Sequence, residues 1–297
     1  MDFTLRIVFE PEPIVAQAVH IDTIKLSHAY LPADLPSVEE LERRNFVISY
    51  RQRSGNKIIN AYMRPEMKKS TQPNLNITIS EYGYCGVSAE VSIAKLVSGN
   101  GLGKQTNDDI ESGLDAIEDF IRTRVGVEFN ARTAKVSRFD ANADFLVGEH
   151  QIIHFINSIS CNDSRLIKGT FGNTTKQYSN TGRTITAYGK KSQMEDEYKK
   201  GRATLEDIEA AEGLLRIEAR LKTSQAVRRF AESYSMPNEA YYLLTRGLAF
   251  ALVGNALKLI NLDTSKPNKD GLYEQLKREF PKDVPEILVL CHSRFDG

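Results

Sequence analysis

The sequence predicts an α+β fold: an antiparallel sheet with helices packed on one face, followed by a helical C-terminal tail. Three observations predict it. Strand-like runs at 46–50, 57–63, 75–80 and 87–93 are separated by turn residues alone, the pattern of an antiparallel meander. Residues 136–145 and 214–222 alternate between apolar and polar or charged side chains, so each strand has one face for a core and one for solvent or chemistry. Residues 106–125 carry the three- and four-residue apolar spacing of a helix lying on such a core.

The bulk numbers set limits. A chain of 297 residues that is 41% hydrophobic and 26% charged can bury a sizeable core in one large domain or two small ones. Its 39 basic and 39 acidic side chains cancel, so only local clustering can point to nucleic acid. Cys85, Cys161 and Cys291 are odd in number and far apart. They make neither a zinc spacing nor a disulfide frame, and a reducing cytoplasm is expected. The N-terminus lacks the basic-then-apolar pattern of an export signal. The most apolar run, 247–262, contains Asn255 and Lys258 and is too short to span a bilayer, so it reads as a buried helix with no membrane partner.

In chain order, residues 3–9 read as a strand ended by Pro11 and Pro13. Residues 20–27 read as a second, with Ile21, Thr23 and Lys25 alternating against Asp22, Ile24 and Leu26. Ser37 and Glu40 form a capping-box pattern for a short helix. The meander follows, with turns at Ser54-Gly55-Asn56, Gln72-Pro73-Asn74, Gly83 and Gly86. The Gly-rich run 98–104 lacks the phosphate-loop spacing, and no Ser or Thr follows Lys104, so it reads as a flexible turn. Thr106 caps a helix to Val125, with Ile110, Leu114, Ile117, Ile121 and Val125 on its apolar stripe. Asp108, Asp109 and Glu111 suit the positive end of its dipole.

A helix over 149–160 sets His150 and His154 four apart, a zinc-capable spacing with no third ligand nearby. Strands 166–171 and 183–188 flank a polar turn around Asn180 and Gly182. Residues 194–212 read as a charged surface insertion, 214–221 as a strand, and the run from Ser224 as a helix with Arg228 and Arg229. Helices follow from Pro237, broken at Pro267 and Pro281. A first domain over 1–235 and a helical region over 236–297 are expected.

Three strands carry the chemistry. The first turns Arg138, Asp140, Asn142 and Asp144 to one side and Phe139, Ala141, Ala143 and Phe145 to the other. Asp is a poor strand former, so two of them on one face mark either a metal-binding face or an ordinary solvated one. The second, 183–190, places Thr184, Thr186, Tyr188 and Lys190 together, and the third Arg216, Glu218, Arg220 and Lys222. If the three are neighbours, Asp140, Asp144 and Glu218 would hold one hard divalent cation through oxygen. From 214 to 230, Arg216, Arg220, Lys222, Arg228 and Arg229 face a single carboxylate, Glu218. A basic patch around carboxylates suits a phosphodiester. Tyr188 is either a strand aromatic with a solvated hydroxyl or a nucleophile. A free phenol, with a pKa of about 10, needs a neighbouring cation such as Lys190 to be activated. Asp140–Asp144 also opens like a calcium loop, but Phe145 and Gln151 stand where Gly and Glu are required.

Several blocks, in order, resemble the gene-II-type rolling-circle replication initiators of filamentous phages and related phage and plasmid replication proteins. They are Ile21-Asp22-Thr23-Ile24-Lys25-Leu26, the Ser-x-x-Lys-x-x-x-Gly block from Ser92 to Gly99, Ser137-Arg138-Phe139-Asp140, Ala187-Tyr188-Gly189-Lys190, and Arg216-Ile217-Glu218-Ala219-Arg220-Leu221-Lys222-Thr223. The resemblance spans roughly residues 20–235, with 1–19 an N-terminal extension. It implies a nicking-endonuclease domain over 1–235 with a ferredoxin- or palm-like core, nicking one DNA strand at a replication origin. Tyr188 would become linked to the 5′-phosphate, Lys190 would assist it, and Mg²⁺ or Mn²⁺ would be the cofactor. Related nicking enzymes carry a His-hydrophobe-His pair that this chain lacks, which implies Asp140 and Glu218, with Asp144, as metal ligands. Arg138, Lys191, Arg216, Arg220, Lys222, Arg228 and Arg229 would contact DNA, and a host helicase and polymerase would be partners. A non-catalytic origin-binding protein and a plasmid mobilisation relaxase are the alternatives.

Overall fold

The computed structural model describes residues 15–53, 56–63, 72–80, 85–99, 101–102, 104–171 and 174–262. The strand expected at 3–9 and the breaks at Pro267 and Pro281 lie outside them. The chain opens with β1 (Val15–Tyr30), a 3₁₀ turn and α1 (Val38–Arg43). The meander is β2 (Phe46–Arg53), β3 (Asn56–Met63), β4 (Asn74–Ser80) and β5 (Cys85–Ser92). Next come α2 (Ile93–Ser98), α3 (Asn107–Val125), β6 (Lys135–Leu146), α4 (Glu149–Ser158) and β7 (Ile159–Cys161). Then follow β8 (Ile167–Phe171), β9 (Thr175–Ser179), β10 (Arg183–Gly189), α5 (Lys190–Lys199), α6 (Leu205–Ala210) and β11 (Leu214–Leu221). The last described elements are α7 (Ser224–Ser233), α8 (Ala240–Leu243), α9 (Arg246–Leu259) and β12 (Ile260–Leu262).

The α+β class holds. Among the described residues, ten strands form one antiparallel sheet in the order β2-β3-β4-β5-β1-β6-β11-β10-β9-β8, and β7 pairs with β12 apart from it. The long strand β1 joins the meander to the second half, pairing with β5 on one side and β6 on the other. Alternation along β6 and β11 splits the sheet into two faces. Ile21, Ile24 and Leu26 of β1, Phe139, Ala141, Ala143 and Phe145 of β6, and Leu215 and Ile217 of β11 are buried in one apolar cluster. The apolar stripe of α3, Ile152 and Ile156 of α4, Val227 and Phe230 of α7, and much of α9 belong to the same cluster. Phe230 stacks at a tilt on Phe139, with ring centroids 6.1 Å apart, which places α7 on the apolar face.

α3 keeps its predicted bounds because both ends are specified. Thr106 and Asp109 close a capping box at its start, and Gly126 ends it at φ 84°, a left-handed conformation that favours glycine. At α1 only half of the box forms: Ser37 accepts from the Glu40 amide, but the Glu40 carboxylate turns to Arg44 instead.

Other boundaries move. Residues 15–19, which precede the stretch that carries the resemblance, belong to β1: Val15 pairs with Leu146 and Val19 with Ala143 inside the sheet. Within the described residues after 235, α9 lies on β1, β6 and β11 and buries Leu248, Phe250 and Val253 in the shared core. Gly86 is not a turn but pairs with Thr78 and Ala29 within β5. Short elements at α2, β7, β9 and β12 have no counterpart in the sequence reading. No helix among the described residues is long and apolar enough to cross a membrane.

Candidate active site

The three charged strands are neighbours, and their register fixes which side chains meet. β6 pairs with β11, and β11 with β10. One row across the sheet is Asp144, Arg216, Tyr188; the next is Asn142, Glu218, Thr186; the third is Asp140, Arg220, Thr184. β1 extends the middle row, since His20 lies opposite Asn142. This polar face is almost dry: Asp140, Asn142, Asp144, Arg216, Glu218 and His20 are all buried. Buried charges persist only when paired, and these are.

Arg216 forms a two-pronged pair with Asp144, Nε to Oδ1 at 2.5 Å and Nη2 to Oδ2 at 2.6 Å, and Nη2 also donates to the Gly101 carbonyl at 3.2 Å. Burial by itself would push the Asp144 carboxyl up, but the charge and hydrogen bonds of Arg216 override it and hold the group well below the usual carboxylate range. Arg138 donates to both oxygens of Asp140 and to Glu90. Arg220 Nε lies 2.9 Å from Asp140 Oδ2, and its Nη2 donates to Glu218 Oε1. Burial still pushes Asp140 up, to about 7, against the pull of Arg138 and Arg220.

This pairing decides the metal question for the expected trio. Asp140 and Asp144 are four residues apart on one strand, roughly 13 Å along it. They cannot share one ion whose ligand oxygens lie about 2.0–2.6 Å away. Both also have their oxygens on guanidinium groups. Among the described residues, no three His, Cys, Asp or Glu side chains are grouped to hold a metal. Glu218 differs, because it engages Arg220 through Oε1 alone. Beside it, the Asn142 Oδ1 atom is buried and reached by no hydrogen-bond donor among the described residues. These two oxygens fit a hard cation; Asp140 together with Asp144 does not.

Tyr188 is half-buried and sits opposite Arg216. Burial raises its phenol above the ordinary value; Arg216 opposes this, while Glu218, Asp22 and Asp144 add to it. Glu218 is its diagonal neighbour, roughly 7–8 Å away between Cα positions. The cation facing Tyr188 across the strands is therefore Arg216, not Lys190 as the strand alternation implied. The strand ends at Gly189, and Lys190 is the first residue of α5. A methyl group at Gly189 would lie 3.1 Å from Ile152 Cγ2, so the small residue lets α4 pack against this corner. Lys190 is buried and donates to Gln193 Oε1 at 2.8 Å. Burial, with Arg216 nearby, lowers its ammonium to about 7 although Asp144 and Asp22 oppose the shift.

The expected basic patch is divided. Arg138, Arg216 and Arg220 are internal partners of carboxylates, Lys191 reaches Glu212, and Arg228 reaches Glu232. Arg228 and Arg229 ride on α7, over the apolar face and away from Tyr188. Lys222, just after β11, is exposed. His150 and His154 are exposed on α4. Tyr241 and Tyr242 of α8 are exposed and stack edge-on with each other at 5.1 Å. They adjoin the start of β6, where Lys135 bridges Glu239, and nine residues of strand, roughly 30 Å, separate that point from the Asp144 row.

Asp22 is the group that sequence alternation misplaced. Regular alternation would set it beside Ile24 and Leu26 in the core. Instead β1 bulges between Ile21 and Ile24, so both isoleucines stay on the apolar face and Asp22 joins the polar one. Gln105 holds the bulge: its side chain accepts from the Ile21 amide at 2.7 Å and donates to the Ile21 carbonyl at 3.3 Å. Asp22 accepts from Ser92 Oγ at 2.8 Å and lies close enough to raise the pKa of Tyr188, Lys190, Arg216 and Arg220. The signal was present in the sequence as an apolar spacing of three, then two, over Ile21, Ile24 and Leu26.

No protein-family model matches this chain, and no curated protein matches it in sequence.

Proposed function

We propose that the protein nicks and rejoins one strand of DNA at a replication origin, with Tyr188 as nucleophile. The observation that carries the reading is the position of Tyr188. It stands on a polar sheet face, opposite a fixed guanidinium, with three carboxylates and a lysine lowered to about 7 around it. A phenol raised by burial is a poor nucleophile unless a base takes its proton. Lys190, which follows Tyr188 by two residues and whose ammonium is lowered to about 7, is the base assigned to it. In the step proposed, the Tyr188 oxygen bonds to phosphorus as its proton passes to the base. The bond from phosphorus to the 3′-oxygen breaks, and that oxygen leaves as a 3′-hydroxyl once protonated. The 5′-phosphate stays on Tyr188, and the reverse transfer rejoins the strand.

Arg216, held rigid by Asp144, supplies positive charge where the phosphoryl oxygens would gather charge. Bound Mg²⁺ or Mn²⁺ would neutralise further phosphate charge, with Glu218 as a ligand. The ordered resemblance to gene-II-type initiators supports the same reading. A cytoplasmic location suits the free Cys85 and Cys161. Host helicase and polymerase would act on the unwound strand and on the 3′-hydroxyl.

The test uses the full chain, supercoiled DNA carrying its own origin, and Mg²⁺ or Mn²⁺. Wild type should give open circles and a covalent protein–DNA adduct, and Tyr188→Phe should give neither. If Tyr188→Phe nicks and forms adducts like wild type, the assignment of the nucleophile is wrong. Salt-sensitive binding without nicking in either protein would favour an origin-binding protein without chemistry.

A further inference from the structure

We infer that a divalent cation binds at Asp22, Asn142 and Glu218, a set that replaces Asp140 and Asp144. The inference deepens the nicking reading, but its own observation is independent of it. Among the described residues the buried Asn142 Oδ1 atom is an acceptor with no donor. An unmet buried carbonyl of this kind costs about 1–3 kcal/mol, so it calls for a partner. Across the strands Asn142 lies directly opposite Glu218, whose carboxylate is tied to protein through one oxygen only.

The β1 bulge supplies the third donor. Among the described residues Asp22 has no arginine in a salt bridge with it, unlike Asp140, Asp144 and Glu218, and its one hydrogen bond is from Ser92 Oγ to Oδ1. Its charge acts on Arg216 and Arg220, the two residues that flank Glu218 on β11. Asp22 lies two residues past His20, which is opposite Asn142, so on the polar face Asp22 is the diagonal neighbour of Asn142. Two carboxylates and one amide carbonyl form an all-oxygen set, the kind that Mg²⁺ and Mn²⁺ take while keeping several waters. The third donor is an amide, so the set is not one of the three-residue His, Cys, Asp or Glu groups, of which there is none among the described residues. The site lies one row from Tyr188, near enough for a bound ion and the phenol to share one phosphate.

The experiment is an Mn²⁺ titration of the full chain, read by the loss of the free-ion electron paramagnetic resonance signal. Circular dichroism and melting in chelator provide the control. Asp22→Asn, Glu218→Gln and Asn142→Ala should each weaken Mn²⁺ binding by at least about tenfold. Asn142→Ala removes an acceptor that no donor reaches, so its melting temperature in chelator should hold while Mn²⁺ stabilisation is lost. Wild-type affinity in Asp22→Asn or Asn142→Ala, or no uptake by wild type at millimolar Mn²⁺, overturns the site. Metal binding that obeys these expectations without any nicking leaves the site standing and removes the nickase. Nicking with Mn²⁺ affinity unchanged in the variants does the reverse.

Discussion

Replacing Asp144 with Ala should damage folding before it damages any chemistry. Asp144 and Arg216 are both about 4% exposed at the side chain, and two short bonds join them. Removing the carboxylate leaves a guanidinium buried between two strands with the Gly101 carbonyl as its remaining acceptor. Breaking one side of such a pair costs about 3–5 kcal/mol. The whole stability of a folded domain is about 5–15 kcal/mol. Urea unfolding at pH 7 should show that loss. The double variant Asp144→Leu, Arg216→Met should recover most of it, because an apolar pair of similar volume leaves no charge behind. The pH dependence carries a sign. The folded carboxyl lies below its unfolded value of about 3.9. The pair's contribution is therefore complete above that value and lost as pH falls below it, and the single variant should lack this acid-sensitive portion. A loss under about 1 kcal/mol in Asp144→Ala, or a double variant no better than the single one, would refute the view that Asp144 serves Arg216.

Two further outcomes follow from the same geometry. Gln105→Ala removes both bonds to Ile21 and should cost roughly 2 kcal/mol at about 1 kcal/mol per bond. Faster hydrogen exchange at the Ile21 amide checks the cause, and unchanged exchange would mean that the bulge does not rely on Gln105. Lys190→Met should flatten a pH slope. Folded Lys190 titrates at about 7 and unfolded lysine at about 10.4, so its burial penalty is full below 7 and is relieved as pH rises between these values. Wild type should gain stability over the variant from pH 7 to 10 by up to ~1.4 kcal/mol per unit. A flat difference in urea unfolding would show that Lys190 keeps its proton.

The faces of β6 and β11 were legible in the sequence because a strand alternates with a period of two whatever its neighbours do. The same rule hid β9. Lys176 and Tyr178 are its core-facing pair, and Lys176 is tolerated there only because its ammonium donates to the carbonyls of Asn157 and Ile159. No local pattern announces a buried lysine whose acceptors come from another element. α2 and β12 were too short to show a period.

At the candidate site, the sequence by itself determined that charged residues share one face and that Tyr188 stands among them. It could not determine partners. Which carboxylate meets which guanidinium depends on the register of β6, β11 and β10, and that register placed Asp144 opposite Arg216 and Asp140 opposite Arg220. Rows about 6.6 Å apart along each strand then kept the two aspartates from a common ion. The bulge in β1, held by a glutamine 84 residues away, moved Asp22 from the apolar face to the polar one. Alternation is a local property of the backbone, whereas register and bulges are settled by long-range pairing and core packing. Only the folded sheet could therefore show that Asp140 and Asp144 are held by arginine while Asp22 accepts from Ser92.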